Sequence, residues 1–275
     1  MKPGHYPDLP MSEYHGSEGI SKSGLSLMLK SPLDYWSAYL DPNRKQRPTT
    51  PAMKLGSAIH CKVLEPHLFD SEYVLSPKFD RRSKAGKAEY EAWLSEYCNH
   101  ILLDPEELAT VEACAAAIAA NPECQKYLTN GKAEQSYYWQ DPSSFQLCKC
   151  RPDYVTDNHI LVDLKTTRDA SAEEFERTCA NFHYEMSAAF SSWGYELTTG
   201  VRPVAYVFVV VETTPPYKTA CYLLDEESEN IGHRLCLKAL EKLDECIEFD
   251  EWPGLPETTQ IVGLPAYIKR KYEDL

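Results

Sequence analysis

The spacing of apolar residues predicts helices in the first half of the chain. Ser21 is a suitable N-cap for a helix that ends before Pro32, because proline disfavours helix at the residue before it. A second helix is predicted from Ala52 to Leu64, where apolar residues recur every four positions. A third begins at Asp104, with proline and glutamates in its first turn. Residues 76–88 are polar and basic and are predicted to form a loop.

The second half of the chain changes to alternating polar and apolar positions, which is typical of strands. The segment Val204 to Val211 is almost wholly apolar, as expected for a central strand covered on both faces. In chain order the prediction is strands over 134–140, 145–151 and 160–165, a helix over 172–197, strands over 204–211 and 217–224, and a helix over 231–247.

This order predicts a mixed α/β (α+β) fold with a central mixed sheet flanked by helices. We expect residues 1–275 to form a single domain. Its parts would be a mainly helical N-terminal region (1–130), an α/β core (131–250) and a C-terminal tail (251–275). Repeats, low-complexity tracts and flexible linkers are not visible in the sequence.

Composition narrows the class of protein. Hydrophobic residues make up 43% of the chain and charged residues 25%, which excludes wholesale disorder. Every aliphatic run is far shorter than the ~20 residues of a membrane helix, and the opening residues lack the apolar stretch of a signal peptide. The 10 cysteines include no C-x-x-C pair, which argues against a structural zinc or iron–sulfur site. We therefore expect a soluble cytoplasmic protein with reduced thiols.

The net charge of −14 argues against general binding to DNA or anionic membranes. The distribution is uneven, however, because residues 44–89 carry 10 basic and 5 acidic residues. Such a basic stripe on an acidic body can contact phosphates locally. The alternative, a solvated lysine-rich loop, fits the charge pattern equally well.

The strand over 160–165 carries the clearest candidate chemistry. Asp163 and Lys165 are two residues apart and therefore point to the same face of the strand. A hairpin would bring Asp153 close to Asp163, and two converging carboxylates repel each other unless a cation lies between them. Oxygen ligands of this kind suit Mg²⁺, and the lysine could hold an attacking water. A plain ion-pair cluster remains the alternative.

The motifs of the chain resemble those of the RecE-type (exonuclease VIII) nuclease domains in the PD-(D/E)XK, RecB-like nuclease superfamily. The resemblance implies a restriction-endonuclease-like core and covers most of the chain. It is carried by Ile20-Ser21-Lys22-Ser23, Gly56-Ser57-Ala58-Ile59-His60, Ala133-Glu134-Gln135-Ser136-Tyr137, Cys150-Arg151-Pro152-Asp153, Val162-Asp163-Leu164-Lys165-Thr166-Thr167 and Asp250-Glu251-Trp252-Pro253.

The resemblance implies a role for each residue of the site. Lys165 would position the nucleophilic water, and Glu134 would be an additional acidic ligand or would orient a water. Mg²⁺ is the expected cofactor, and Mn²⁺ is expected to substitute for it. The implied catalytic residues are His60, Glu134, Asp153, Asp163 and Lys165, and the implied metal ligands are His60, Asp153, Asp163 and the backbone carbonyl of Leu164.

The resemblance also suggests contacts with nucleic acid. Tyr184 stands where RecB-like nucleases carry a tyrosine, but Ser187 occupies the position of their glutamine, so the contact of that long amide is in doubt. The other candidate nucleic-acid contacts are Arg151, Arg81, Arg82 and Lys84.

The resemblance further implies an ATP-independent exonuclease that degrades linear duplex DNA, from 5′ to 3′, and leaves 3′ overhangs for phage-type (prophage) recombination. Its implied partners are DNA ends and a RecT-like single-strand annealing protein, and its implied assembly is a ring-shaped homo-oligomer, a tetramer or trimer. One alternative is a structure-specific endonuclease or repair nuclease on the same core. The other is a non-catalytic DNA-binding protein, which only the Ser187 departure supports.

Overall fold

Helices dominate the first half of the protein, as the hydrophobic spacing predicts. The computed structural model describes residues 1–45, 48–80 and 82–272. The first elements are β1 (Gly4–Tyr6), α1 (Met11–Gly16), α2 (Lys22–Lys30), α3 (Pro32–Tyr35), a π-helical turn (Trp36–Leu40), α4 (Pro51–Leu64), α5 (Pro66–Glu72), β2 (Tyr73–Leu75), α6 (Lys84–Glu96), β3 (Ile101–Leu103), α7 (Pro105–Ala120) and α8 (Pro122–Tyr127).

Strands and long helices make up the rest of the described chain. They are β4 (Gly131–Ala133), β5 (Ser136–Gln140), β6 (Leu147–Cys150), β7 (Tyr154–Thr156), β8 (Ile160–Thr167), α9 (Ala172–Phe182), α10 (Tyr184–Thr199), β9 (Ala205–Glu212), β10 (Thr219–Leu223), α11 (Glu226–Phe249) and α12 (Ala266–Arg270).

The predicted helix starts are confirmed by their caps. The Ser21 hydroxyl accepts a hydrogen bond from the backbone N–H of Gly24. The Asp104 carboxylate accepts from the backbone of Glu106 and Glu107, and the Glu107 side chain accepts from the backbone N–H of Asp104 in return. Local sequence therefore fixes where α2 and α7 begin.

A five-stranded mixed sheet lies at the centre, with the strand order β10-β9-β8-β7-β4. β8 and β9 run parallel over eight residues, from Ile160 opposite Ala205 to Thr167 opposite Glu212. The other pairs in this sheet are antiparallel. The predicted mixed sheet and the buried central strand are thus confirmed.

Helices cover both faces of β8 and β9. On one face Leu161 and Phe208 pack in a cluster with residues of α2, α9, α10 and α11. On the other face Val162 and Leu164 pack with residues of α4, α7 and α8. Burial on both faces holds β8 rigidly, and β8 carries Asp163 and Lys165.

A smaller antiparallel sheet of β1, β5 and β6 packs against α10. A Cβ atom at Gly194 would lie 2.2 Å from the Trp139 ring, so only glycine permits this close approach. The chain passes from β4 of the central sheet to β5 of the smaller one through Glu134, whose φ is 52°. This left-handed residue redirects the chain at the edge of the central sheet.

Two predictions about elements are wrong. The helix predicted over 172–197 is two helices, because His183 adopts a left-handed conformation with φ 54° and ψ 52° and ends α9. The loop predicted over 76–88 gives way to α6 at Lys84, where Ser83 caps the helix by accepting from the backbone N–H of Gly86.

No helix in the described part of the chain is long and apolar enough to cross a membrane. All 10 cysteines lie within it as free thiols.

Candidate active site

Three carboxylates lie at or next to the ends of neighbouring strands of the central sheet. β4 pairs with β7 so that Ala133 faces Tyr154, and one position further the backbone N–H of Glu134 donates to the carbonyl of Asp153 at 2.9 Å. The register of β7 and β8, extended by one position, sets Asp153 opposite Asp163. Register sets Asp153 and Asp163 on the same face of the sheet, and the backbone bond holds the left-handed Glu134 next to Asp153.

His60 completes a candidate metal site. It projects from α4, and its Nδ1 lies 3.6 Å from Asp153 Oδ2. One ligand atom from each of His60, Glu134 and Asp153 lies within 4.8 Å of the other two. The two carboxylates suit Mg²⁺ or Mn²⁺, and the imidazole adds a nitrogen donor of the kind that transition metals prefer. The chemistry of these residues therefore fits the divalent cation expected from the sequence.

The pKa values of His60, Glu134 and Asp153 are shifted as expected for buried acidic groups and a buried imidazole. Burial, and then the charge of Asp163, raise the pKa of Asp153 well above its usual range. Burial also raises the pKa of Glu134 to about 7, against the opposing charge of Arg151. Burial and the ammonium of Lys165 lower the pKa of His60 to about 4. The imidazole is therefore neutral near pH 7, which is the form that ligates metals.

Asp163 lies outside that trio. Its Oδ1 accepts from the Lys165 ammonium, and its Oδ2 accepts from the Tyr206 hydroxyl at 2.9 Å. Burial by itself would raise the pKa of Asp163, but Lys165, a hydrogen bond with Asp153 and one with Tyr206 hold it below the usual range. Of the four expected metal ligands, His60 and Asp153 thus come together with Glu134, while Asp163 is bonded to Lys165.

Leu164, the other expected metal ligand, also lies at this position. Its backbone N–H donates to Asp153 Oδ2 at 2.7 Å, which fixes that carboxylate against the end of β8.

Lys165 stays protonated in this environment. Burial opposes its charge, but the carboxylates of Asp163 and Asp153 raise its pKa above the usual value. The Tyr184 ring lies beside it, with Nζ 4.9 Å from the ring centroid. The break at His183 makes Tyr184 the first residue of α10, which places this ring at the site. Ser187 follows one turn further along α10 and is half-buried.

Arg151 faces inward, which favours a supporting role over the DNA contact expected from the sequence. Its side chain is only 7% exposed, and its Nε donates to the Glu134 carbonyl at 2.9 Å and pairs with the Glu134 carboxylate at 3.1 Å. Its guanidinium also donates to the carbonyl of Leu9. These bonds hold Glu134 in place and use the donors that a phosphate would need.

The predicted basic contacts lie on the surface. Arg82 and Lys84 are exposed, the first beside Asp80 and the second at the start of α6. Arg81 lies outside the described residues. Their contact with nucleic acid stays a prediction.

Two neighbours of the site were missed by the sequence analysis. Tyr206 lies in a segment that is predicted only as an apolar strand. It is two residues before Phe208, which lies opposite Asp163, so its hydroxyl on the same face was the available signal. Lys22 starts α2, and its Nζ lies 5.9 Å from the centroid of the Tyr184 ring. A lysine in the first turn of a helix is unfavourable because its charge opposes the helix dipole, and this unusual placement was the available signal of a function for Lys22.

The raised pKa of Glu134 predicts a pH-dependent stability. The Glu134 carboxyl ionises near pH 4.5 in the unfolded chain and near pH 7 in the folded protein. The folded state therefore loses stability as the pH rises through this interval. From pH 5.5 to 7.5 this loss is about 2 kcal/mol. Glu134→Gln, which cannot ionise, is expected to lack it when urea unfolding is measured at both pH values in EDTA.

The exposed Glu89 offers a matched control for this experiment. Glu89→Gln should show the same pH dependence as the unaltered protein. Equal slopes for the unaltered protein and Glu134→Gln would contradict the raised pKa.

Comparisons with known proteins agree with this geometry. No curated protein matches the chain. The structure is similar to that of a Eubacterium rectale protein named "Putative exonuclease", with a TM-score of 0.63 and 12% identity over 96% of this chain and 97% of that chain. That likeness shows the fold. A phage related exonuclease from Haemophilus somnus 129PT matches with a TM-score of 0.38 and 10% identity, over 85% of this chain and 97% of that one, which is too low to carry an argument.

The family comparison covers nearly the whole chain. The model of the PDDEXK-like domain of unknown function (DUF3799) matches residues 21–264, a span that contains every residue of the candidate site. The chain therefore belongs to this family, and its domain is a PD-(D/E)XK nuclease domain.

Proposed function

We propose that the protein is a metal-dependent exodeoxyribonuclease that degrades linear double-stranded DNA from 5′ to 3′ and leaves 3′ single-stranded overhangs. The observation that carries this proposal is the cluster of His60, Glu134 and Asp153 beside the Lys165–Asp163 pair. The family supports nuclease chemistry. The polarity and the preference for ends come from the RecE-type resemblance of the sequence.

His60, Glu134 and Asp153 would hold Mg²⁺, or Mn²⁺ in its place, with Asp163 and the Leu164 carbonyl as further ligands proposed from the sequence. Such an ion, when bound, supplies positive charge that stabilises the phosphate undergoing hydrolysis.

The protein residues supply orientation and charge. Lys165 remains an ammonium, so it acts as a donor that orients the attacking water and stabilises negative charge, and not as the base. Asp163 fixes the position of Lys165, and Tyr206 fixes Asp163. Arg151 fixes Glu134. Each group next to the reacting phosphate is thereby held in place before the substrate binds.

The wider setting is also part of the proposal. The single nuclease domain would act in the cytoplasm without ATP, as a ring-shaped trimer or tetramer, and would pass 3′ overhangs to a RecT-like annealing protein in phage-type recombination. The net charge of −14 would be compatible with DNA binding in such a ring, because basic residues would face the DNA and acidic residues would face solvent.

Digestion of a linear duplex labelled at one 5′ end or one 3′ end tests the proposed function. The reaction contains Mg²⁺ and no ATP, with an EDTA control and a covalently closed plasmid alongside. Early release of the 5′ label with the plasmid intact is the expected result. Cleavage of the plasmid would identify a structure-specific endonuclease or repair nuclease instead. A folded protein that releases no label with Mg²⁺ or Mn²⁺ would point to a DNA-binding role.

A further inference from the structure

A cationic groove lies beside the candidate active site, along one face of α2. Lys22, Ser26 and Lys30 recur every four residues and therefore share that face of the helix. They line a cavity of about 430 Å³, together with Asn181 and His183 from the junction of α9 and α10. Among the described residues, none that line this cavity is acidic, although the chain contains 42 acidic residues.

Lys22, at one end of the groove, lies near Lys165 of the candidate active site. Lys22 Nζ and Lys165 Nζ lie 5.9 Å and 4.9 Å from the centroid of the same ring, that of Tyr184. Lys22 donates one hydrogen bond, to the Phe182 carbonyl at 2.6 Å, and an ammonium has three donors. Lys22 thus adds a second ammonium group next to the one that Lys165 shares with Asp163.

The pKa of Lys22 agrees with this crowding of positive charge. Burial, and then the charge of Lys165, lower it to about 8. An anion bound between the two lysines would relieve their repulsion.

Positive charge continues beyond the other end of α2. A second cavity shares Leu27 and Tyr39 with the first and reaches Arg44 and Lys45. Its acidic residue, Asp41, accepts a hydrogen bond from the backbone N–H of Asn43 at 2.7 Å. The two cavities thus extend from Lys22 to the start of the basic segment noted in the sequence.

We infer that this face of α2 is a track for the phosphodiester groups of the DNA strand next to the scissile bond. The inference rests on the proposed function and names the side chains that hold its substrate. Lysine, serine and asparagine are side chains that contact phosphates without reading bases. From Lys22 to Lys30 the helix rises about 12 Å, which equals the axial rise of about three to four base pairs of a DNA duplex.

Salt dependence of DNA binding tests this track. Binding to a linear duplex is measured in EDTA, where no cleavage occurs, over a series of KCl concentrations. Lys30→Gln is expected to reduce the slope of log Kd against log [KCl] by about one unit, and Lys22→Gln combined with it by about two. Lys126→Gln is the matched control, because Lys126, like Lys30, is an exposed helical lysine in a surface ion pair.

The outcomes separate the track from its alternatives. A slope unchanged in both variants would overturn the inference, as would a change equal to that of Lys126→Gln. Duplexes with 5′-phosphate and 5′-hydroxyl ends should show the same loss. A loss confined to the 5′-phosphate duplex would overturn the track in favour of a pocket for a terminal phosphate.

The proposed function fails separately from the track. A protein that binds duplex DNA with the expected slopes but never cleaves it would contradict the exonuclease and leave the track standing. If the protein cleaves DNA but the Lys22 and Lys30 variants keep the salt dependence of the unaltered protein, the exonuclease would stand and the track would be contradicted.

Discussion

Lys165→Met is expected to lower the rate of DNA cleavage by at least about 10²-fold while DNA binding is retained. The ammonium donates to Asp163 and lies beside the Tyr184 ring, and the proposed function has it orient the attacking water. Methionine keeps the volume of the side chain but removes its charge and donors. Single-turnover cleavage of a labelled duplex measures the loss, and a binding assay in EDTA measures the affinity.

A second buried lysine provides the control for this experiment. Lys149 is 6% exposed, and its Nζ donates to the carbonyls of Tyr14 and Ser17 at 2.8 Å and 2.7 Å. Lys149→Met leaves these carbonyls unpaired, so its effect should be a lower Tm with normal cleavage per folded molecule. If Lys165→Met cleaved at the normal rate, its assigned role would be wrong.

Asp153→Asn is expected to abolish both cleavage and the calorimetric heat of Mn²⁺ binding. Asp153 contributes to the trio with His60 and Glu134, and asparagine removes the negative charge that attracts the ion. The amide oxygen of the introduced asparagine would still accept the hydrogen bond from Leu164, so the local geometry should persist.

The same substitution is expected to raise the Tm of the metal-free protein at pH 7.5. Because the folded-state pKa of Asp153 lies well above its unfolded value, the carboxyl group costs the folded state stability as the pH rises above that unfolded value. Asparagine removes this cost. Asp70→Asn, at an exposed position of α5, is the control and should change neither Tm nor Mn²⁺ heat. An unchanged heat in Asp153→Asn would exclude Asp153 as a ligand.

The central strands could be predicted from sequence because their signal is local. The apolar run of β9 and the apolar residues at the start of β8 predicted both strands, and the two-residue period of a strand placed Asp163 and Lys165 on one face. Strands β4 and β7 contain only three residues each, which is too short for a period to be visible. The register that joins Glu134 to Asp153 depends on those short strands and could be described only from the structure.

The break between α9 and α10 was missed for a similar reason. The apolar pattern continues across His183, and the left-handed conformation there is a property of one residue. Without that break Tyr184 would lie in the middle of a helix.

The direction of the Asp163 side chain was equally inaccessible. The motif identified the residue, but its rotamer depends on Lys165 and on Tyr206, which comes from a different strand. The ligand set that includes Asp163 stays a prediction.

β8 and β9 pair over eight residues and are buried on both faces, so the residues of the candidate site lie on elements of unequal local stability. We expect amide hydrogens in these two strands to exchange with solvent only on global unfolding, and those of the three-residue edge strand β4 to exchange through local opening. Lys165 therefore sits on the slowest-exchanging part of the fold, and Glu134 on a margin that opens by itself. A cation bound by His60, Glu134 and Asp153 would protect the amides next to Glu134 in β4 and leave those of β8 unchanged.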